Sequence, residues 1–120
     1  MRVSVFAPQG APGLAADATG RIQKALDRYG ASIRGVVVRV RDENGPRGGN
    51  DQSCLLRISL RGAPDVTVRE RGTHPLGVIL TALKRARRRV AERLNARSRR
   101  QIRSVESRRQ IALSSPSSDD

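Results

Sequence analysis

Apolar positions along the chain recur at two periods, and each switch between them marks a new element. Arg2 to Phe6 alternates as Arg-Val-Ser-Val-Phe and predicts a short strand, closed by a loop holding Pro8, Gly10, Pro12 and Gly13. From Leu14 to Tyr29 the apolar residues Leu14, Ala18, Ile22, Ala25, Leu26 and Tyr29 fall on one helical face, with Arg21, Lys24 and Arg28 on the other and Gly30 placed to stop the helix. Ile33 to Arg41 predicts a strand with Val36, Val38 and Val40 on one side and Val37, Arg39 and Arg41 on the other. Cys54 to Arg61 repeats that design, setting Leu56, Ile58 and Leu60 against Leu55, Arg57, Ser59 and Arg61. After a turn at Gly62-Ala63-Pro64-Asp65, Val66 to Glu70 is a fourth strand with Val66 and Val68 inward. The last element is a helix from about His74 to about Arg100, striped by Leu76, Ile79, Leu83, Ala86, Val90 and Leu94, with Thr73 as N-cap and Pro75 in the first turn.

The order β-α-β-β-β-α predicts an α+β two-layer sandwich: a four-stranded, largely antiparallel sheet with both helices packed on one face. Residues 1–103 form the domain, and 104–120, with little to bury, are expected to be a disordered tail. The opposite sheet face would then carry Arg39, Arg41, Arg57, Arg61, Arg69 and Arg71, either as a second RNA surface or as solubilising residues.

Charge narrows the partners. With 24 Lys and Arg against 11 Asp and Glu, the chain carries +13, and self-repulsion of that size calls for a polyanion. A membrane is the weaker choice, since no apolar run approaches the ~18 residues of a spanning helix. The N-terminal apolar run is too short for a signal peptide, so a cytoplasmic protein is expected. The one cysteine, Cys54, excludes an internal disulfide and a cysteine-based zinc site. Aromatics amount to Phe6 and Tyr29, which argues against a stacking platform and leaves phosphate and shape as the basis for RNA recognition.

The cations concentrate on the last helix, where Lys84, Arg85, Arg87, Arg88, Arg89 and Arg93 are followed by Arg97, Arg99, Arg100 and Arg103 against Glu92. Like charges at i,i+4, as in Lys84 with Arg88 and Arg85 with Arg89, each cost an isolated helix roughly 0.2–0.5 kcal/mol, so the ridge is read as a phosphate-binding surface. Nothing comparable points to catalysis. His74, the one histidine, has no neighbouring nucleophile motif and reads as an ordinary surface residue. Asp42, Glu43 and Asp51 lack the count and alternation of a calcium loop, so turn-stabilising hydrogen bonds account for them better, and no cofactor or small-molecule substrate is indicated.

The stretch Asp42-Glu43-Asn44-Gly45-Pro46-Arg47-Gly48-Gly49-Asn50-Asp51-Gln52-Ser53-Cys54 is a hairpin loop with strict backbone demands. A nucleotide-binding loop would need Lys-Ser or Lys-Thr opening a helix, and here a strand follows. In this loop Arg47 is the residue best placed to touch a phosphate. The wording resembles the Asp-x-Asn-Gly-Pro-(Lys/Arg)-Gly-Gly-x-Asp-x-x-Cys pattern of the ribosome hibernation-promoting factors, and the element order over roughly Arg2 to Arg100 is similar to theirs. The resemblance implies a non-catalytic factor that binds the small ribosomal subunit (16S rRNA) and the intact ribosome, occupies the channel used by mRNA and tRNA, and inhibits translation. It also implies rRNA contacts by Lys84, Arg85, Arg88 and Arg89, and less strongly by Arg21, Lys24 and Arg28. The alternative is a general structured-RNA-binding or RNA-chaperone module without ribosome specificity.

Overall fold

The computed structural model of the chain describes residues 1–8, 13–43 and 51–119, with side chains described as far as Arg103. Strand β1 (Arg2–Phe6) leads into helix α1 (Leu14–Leu26), followed by a 3-10 segment (Asp27–Ser32), β2 (Ile33–Asp42), β3 (Gln52–Leu60), β4 (Val66–Gly72) and α2 (Pro75–Asp119). The sheet runs in the order β1-β2-β3-β4. β1 pairs parallel to β2 through the α1 crossover, while β2–β3 and β3–β4 are antiparallel. This is the α+β architecture that the periodicity predicts.

Register explains why one face is a core. Val3, Val36, Ile58 and Val66 stand in one row across the four strands, and Val5, Val38, Leu56 and Val68 in another. Because side chains alternate between faces, both rows point to the helices. Ala18, Ile22 and Leu26 of α1 and Ile79, Ala82, Ala86 and Val90 of α2 close over them and are fully buried. Alanines at 82 and 86 keep α2 close to the sheet, where bulkier side chains would hold it off.

Strand ends shift by one or two residues, and three helix boundaries differ from the sequence expectation. The α-helix stops at Leu26 rather than Tyr29, and the chain tightens into 3-10 geometry through Gly30 to Ser32, where the amide of Ile33 donates to the Gly30 carbonyl. The tighter winding turns the chain into β2 while Tyr29 stays packed at the core margin. Helix α2 opens at Pro75, so the residue before it is His74, not Thr73; the Val78 amide donates to the His74 carbonyl at 2.9 Å. Proline at the first helical position gives up an amide that would have no intrahelical partner. Finally, α2 continues to Asp119 instead of ending near Arg100. From Asn95 to Leu113 the sequence contains no glycine or proline, so nothing local breaks the helix where its buried stripe ends at Leu94. The backbone therefore crosses residue 103, the expected domain limit, without interruption.

Candidate nucleic-acid interface

From Lys84 to Arg97 the basic residues of α2 do not form one ridge. They separate into three groups with different surroundings, and the separation follows from the helical repeat.

Arg85 and Arg89 lie one turn apart on the flank beside β4, an edge strand. Nη1 of Arg89 donates to the carbonyl of Thr67 at 3.0 Å, and Nη1 of Arg85 to the carbonyl of Arg69 at 3.4 Å and to the Glu70 carboxylate. An edge strand presents a row of carbonyls without strand partners, and these guanidinium groups satisfy two of them while covering the edge. Arg93 and Arg97 continue the spacing of the packed stripe after Val90 and are both half-buried. Arg97 lies across the β3–β4 turn, donating to the Arg61 carbonyl and reaching Ser32 Oγ at 3.5 Å. Gly62, at φ 70°, makes that turn, and a Cβ there would stand 3.4 Å from Arg97 Nη1.

Lys84, Arg87 and Arg88 form the third group. They are exposed on the flank toward α1 and line a groove of about 410 Å³ between the helices, floored by Ala25, Tyr29, Leu80, Leu83 and Ala91. On the α1 side the Arg28 guanidinium lies 5.8 Å from the Tyr29 ring centroid, and Lys24 is exposed one turn earlier. Arg21, further back on α1, pairs with Asp17 at 3.0 Å. The structure therefore gathers Lys84, Arg87 and Arg88 around one apolar-floored groove, with Arg28 beside its Tyr29. It assigns Arg85, Arg89 and Arg97 to contacts within the fold. Arg47 lies outside the described residues. The groove floor was not anticipated from sequence: Tyr29 closes the apolar face of α1, and Leu80 falls off the α2 stripe one turn before Lys84. An apolar residue out of phase beside a cation is the signal that could have revealed it.

At the base of the β2–β3 hairpin the amide of Glu43 donates to the Asp51 carbonyl at 2.9 Å, and Ser53 Oγ donates to the Glu43 carboxylate. The Glu43 carboxylate is thus a turn-stabilising acceptor, while Asp51 takes part through its backbone carbonyl. Cys54 is buried, and burial, reinforced by the facing Glu70 carboxylate, pushes its thiol up to about 11. A thiol so far from ionisation is a packing group rather than a nucleophile. His74 is exposed at the start of α2. No helix among the described residues is long and apolar enough to cross a membrane.

No protein-family model and no curated protein sequence matches the chain. Solved structures do. The Protein Y N-terminal domain of Thermus thermophilus superposes with a TM-score of 0.60 at 17% identity, covering 75% of this chain and 96% of that one. A ribosomal subunit interface protein from Coxiella burnetii gives a TM-score of 0.57 at 9% identity, with 77% and 96% covered. This chain shares their fold. The fold they share is the strand-helix order read from the periodicity, with both helices on one face of the sheet.

Proposed function

We propose that this protein binds the ribosome as a non-catalytic factor, seating the groove between α1 and α2 on 16S rRNA in the mRNA and tRNA channel of the small subunit and thereby inhibiting translation. The observation that carries the reading is Lys84, Arg87 and Arg88 exposed around the Tyr29–Leu80 groove, on a fold shared with a protein described as a ribosomal subunit interface protein. These cations are free to take phosphates, and arginine does so bidentately. Arg28 and Lys24, both exposed, add charge on the neighbouring α1 side. The loop sequence from Asp42 to Cys54 supports the same family reading. The reading implies a cytoplasmic protein that needs no cofactor.

The test is co-sedimentation of the protein with small subunits, large subunits and intact ribosomes at physiological salt in excess tRNA. Stoichiometric migration with small subunits and intact ribosomes, abolished in Lys84→Glu/Arg87→Glu/Arg88→Glu, is the expected result. That triple replaces no residue that clamps β4, so loss of binding is separable from loss of fold. Binding that tRNA removes from every particle alike would indicate a general structured-RNA binder instead.

A further inference from the structure

The sheet face turned away from both helices holds a second constellation. Register sets Phe6, Arg39, Leu55 and Arg69 in one row across the strands, and Arg41, Ser53 and Arg71 in the next. Arg39, Arg41, Ser53, Leu55, Arg69 and Arg71 line an open depression of about 580 Å³. Two columns of arginine, on β2 and on β4, flank a floor supplied by β3. Two strand spacings separate the columns, about 10 Å, and successive rows stand roughly 7 Å apart. Both acids among the lining residues are engaged, Glu43 by Ser53 and Glu70 by Arg85. At the β1 end of the first row, Phe6 is 51% exposed and the Arg39 guanidinium lies over its ring, 4.8 Å from the centroid.

We propose that this face binds single-stranded RNA, with the backbone lying along the arginine columns and a base stacked against the Phe6–Arg39 pair. Charge alone would suit any polyanion, but the exposed ring with a planar guanidinium over it is a surface that a nucleobase uses and an acidic peptide does not. A duplex keeps its bases stacked inside and would leave the ring in water. The apolar members of the face, Phe6, Val37 and Leu55, are scattered among arginines and form no patch for insertion into lipid. The site is separate from the inter-helix groove, so it stands or falls apart from the ribosome reading.

The chain has no tryptophan, which makes Phe6→Trp in the full-length protein a unique reporter. Quenching of its emission by a short oligouridine or oligoadenosine is expected. By anisotropy of the same oligonucleotides, Arg41→Gln/Arg71→Gln should weaken binding and lower the salt slope by about 0.7 for each phosphate no longer neutralised. Phe6→Ala should weaken it about fivefold or more. Circular dichroism checks that each variant is folded, and Lys84→Glu/Arg87→Glu/Arg88→Glu should retain the oligonucleotide. The proposal is overturned by an unquenched tryptophan signal with oligonucleotide bound, by unchanged affinity and slope in the folded glutamine pair, or by binding that only the groove triple removes. A reporter that responds to anionic phosphatidylglycerol vesicles and not to RNA would overturn it as well.

Discussion

Gly72 has no room for a methyl group. A Cβ at that position would sit 2.7 Å from Val78 Cγ2, where the first turn of α2 packs on the end of β4. Its backbone lies outside the positive-φ glycines, so the demand is one of space. Gly72→Ala is expected to cost about 1–3 kcal/mol in urea unfolding, and Val78→Ala in the same chain should recover part of it; additive losses would show that the contact is not the cause. Neither residue attracts notice in the sequence, because the clash exists only once α2 folds back on β4. Cys54 was legible as a small buried residue, but its environment was not. Its register partner is Glu70, a carboxylate held on the core side by Arg85. The thiol ionises near 9 in the unfolded chain and near 11 in the fold. A raised folded value means that stability is fully present below pH 9 and falls as pH rises from 9 to 11, because the unfolded chain releases the proton first. The loss is on the order of 2 kcal/mol. Comparing Cys54→Ala with the parent over pH 8–11 isolates it from the lysine and tyrosine titrations common to both, and parallel pH profiles would contradict it.

At the scale of elements, period and alternation carried most of the fold. Strands β2, β3 and β4 show the predicted two-sided pattern, with Val36, Val38, Val40, Leu56, Ile58, Leu60, Val66 and Val68 all buried. What periodicity cannot convey is which cations on a helix are already engaged within the fold. Arg85, Arg88 and Arg89 are equivalent letters in one basic run, yet Arg85 and Arg89 face the carbonyls of β4 while Arg88 faces the groove. The distinction depends on β4 being an edge strand, a property of sheet order that no local pattern states. Family resemblance implied Lys84, Arg85, Arg88 and Arg89 as one RNA-contacting set; the structure separates Lys84 and Arg88 from the clamp pair. The two roles predict different outcomes for two adjacent substitutions. Arg89→Ala should lower unfolding free energy by about 1 kcal/mol, since it removes a charge-assisted bond to Thr67 at a site water can partly replace. Arg88→Ala should stay within about 0.5 kcal/mol of the parent in the same denaturation series, as expected for an exposed residue outside such contacts. Equal effects on stability would remove the division between clamp and groove.

For the whole molecule, the decisive quantity is charge per folded body. The longest dimension is 81 Å against 21 and 15 Å, because the 45 residues of α2 extend well beyond the sheet. The segment 104–120 carries Arg108 and Arg109 against Glu106, Asp119 and Asp120, a net charge of −1, so residues 1–103 alone hold +14. All of the net repulsion therefore resides in the part that contains the core. The exposed ion pairs that oppose it, such as Arg21–Asp17 and Arg57–Asp65, are worth at most about 1 kcal/mol each and are themselves weakened by salt. Screening acts on both, but fourteen uncompensated charges on a small body dominate a handful of surface pairs once the Debye length falls to about 8 Å near physiological salt. The urea midpoint should therefore rise with added sodium chloride. A chain ending at Arg103 should show the same midpoint and the same salt response, since the described buried core runs from Ala18 to Leu94 and 104–120 carries a net charge of only −1. The RNA affinity proposed above should move the other way, because the gain from counterion release shrinks as salt rises. A midpoint that falls with salt would mean the ion pairs outweigh the repulsion, and a lower midpoint in the shortened chain would mean that the far end of α2 contributes to the fold.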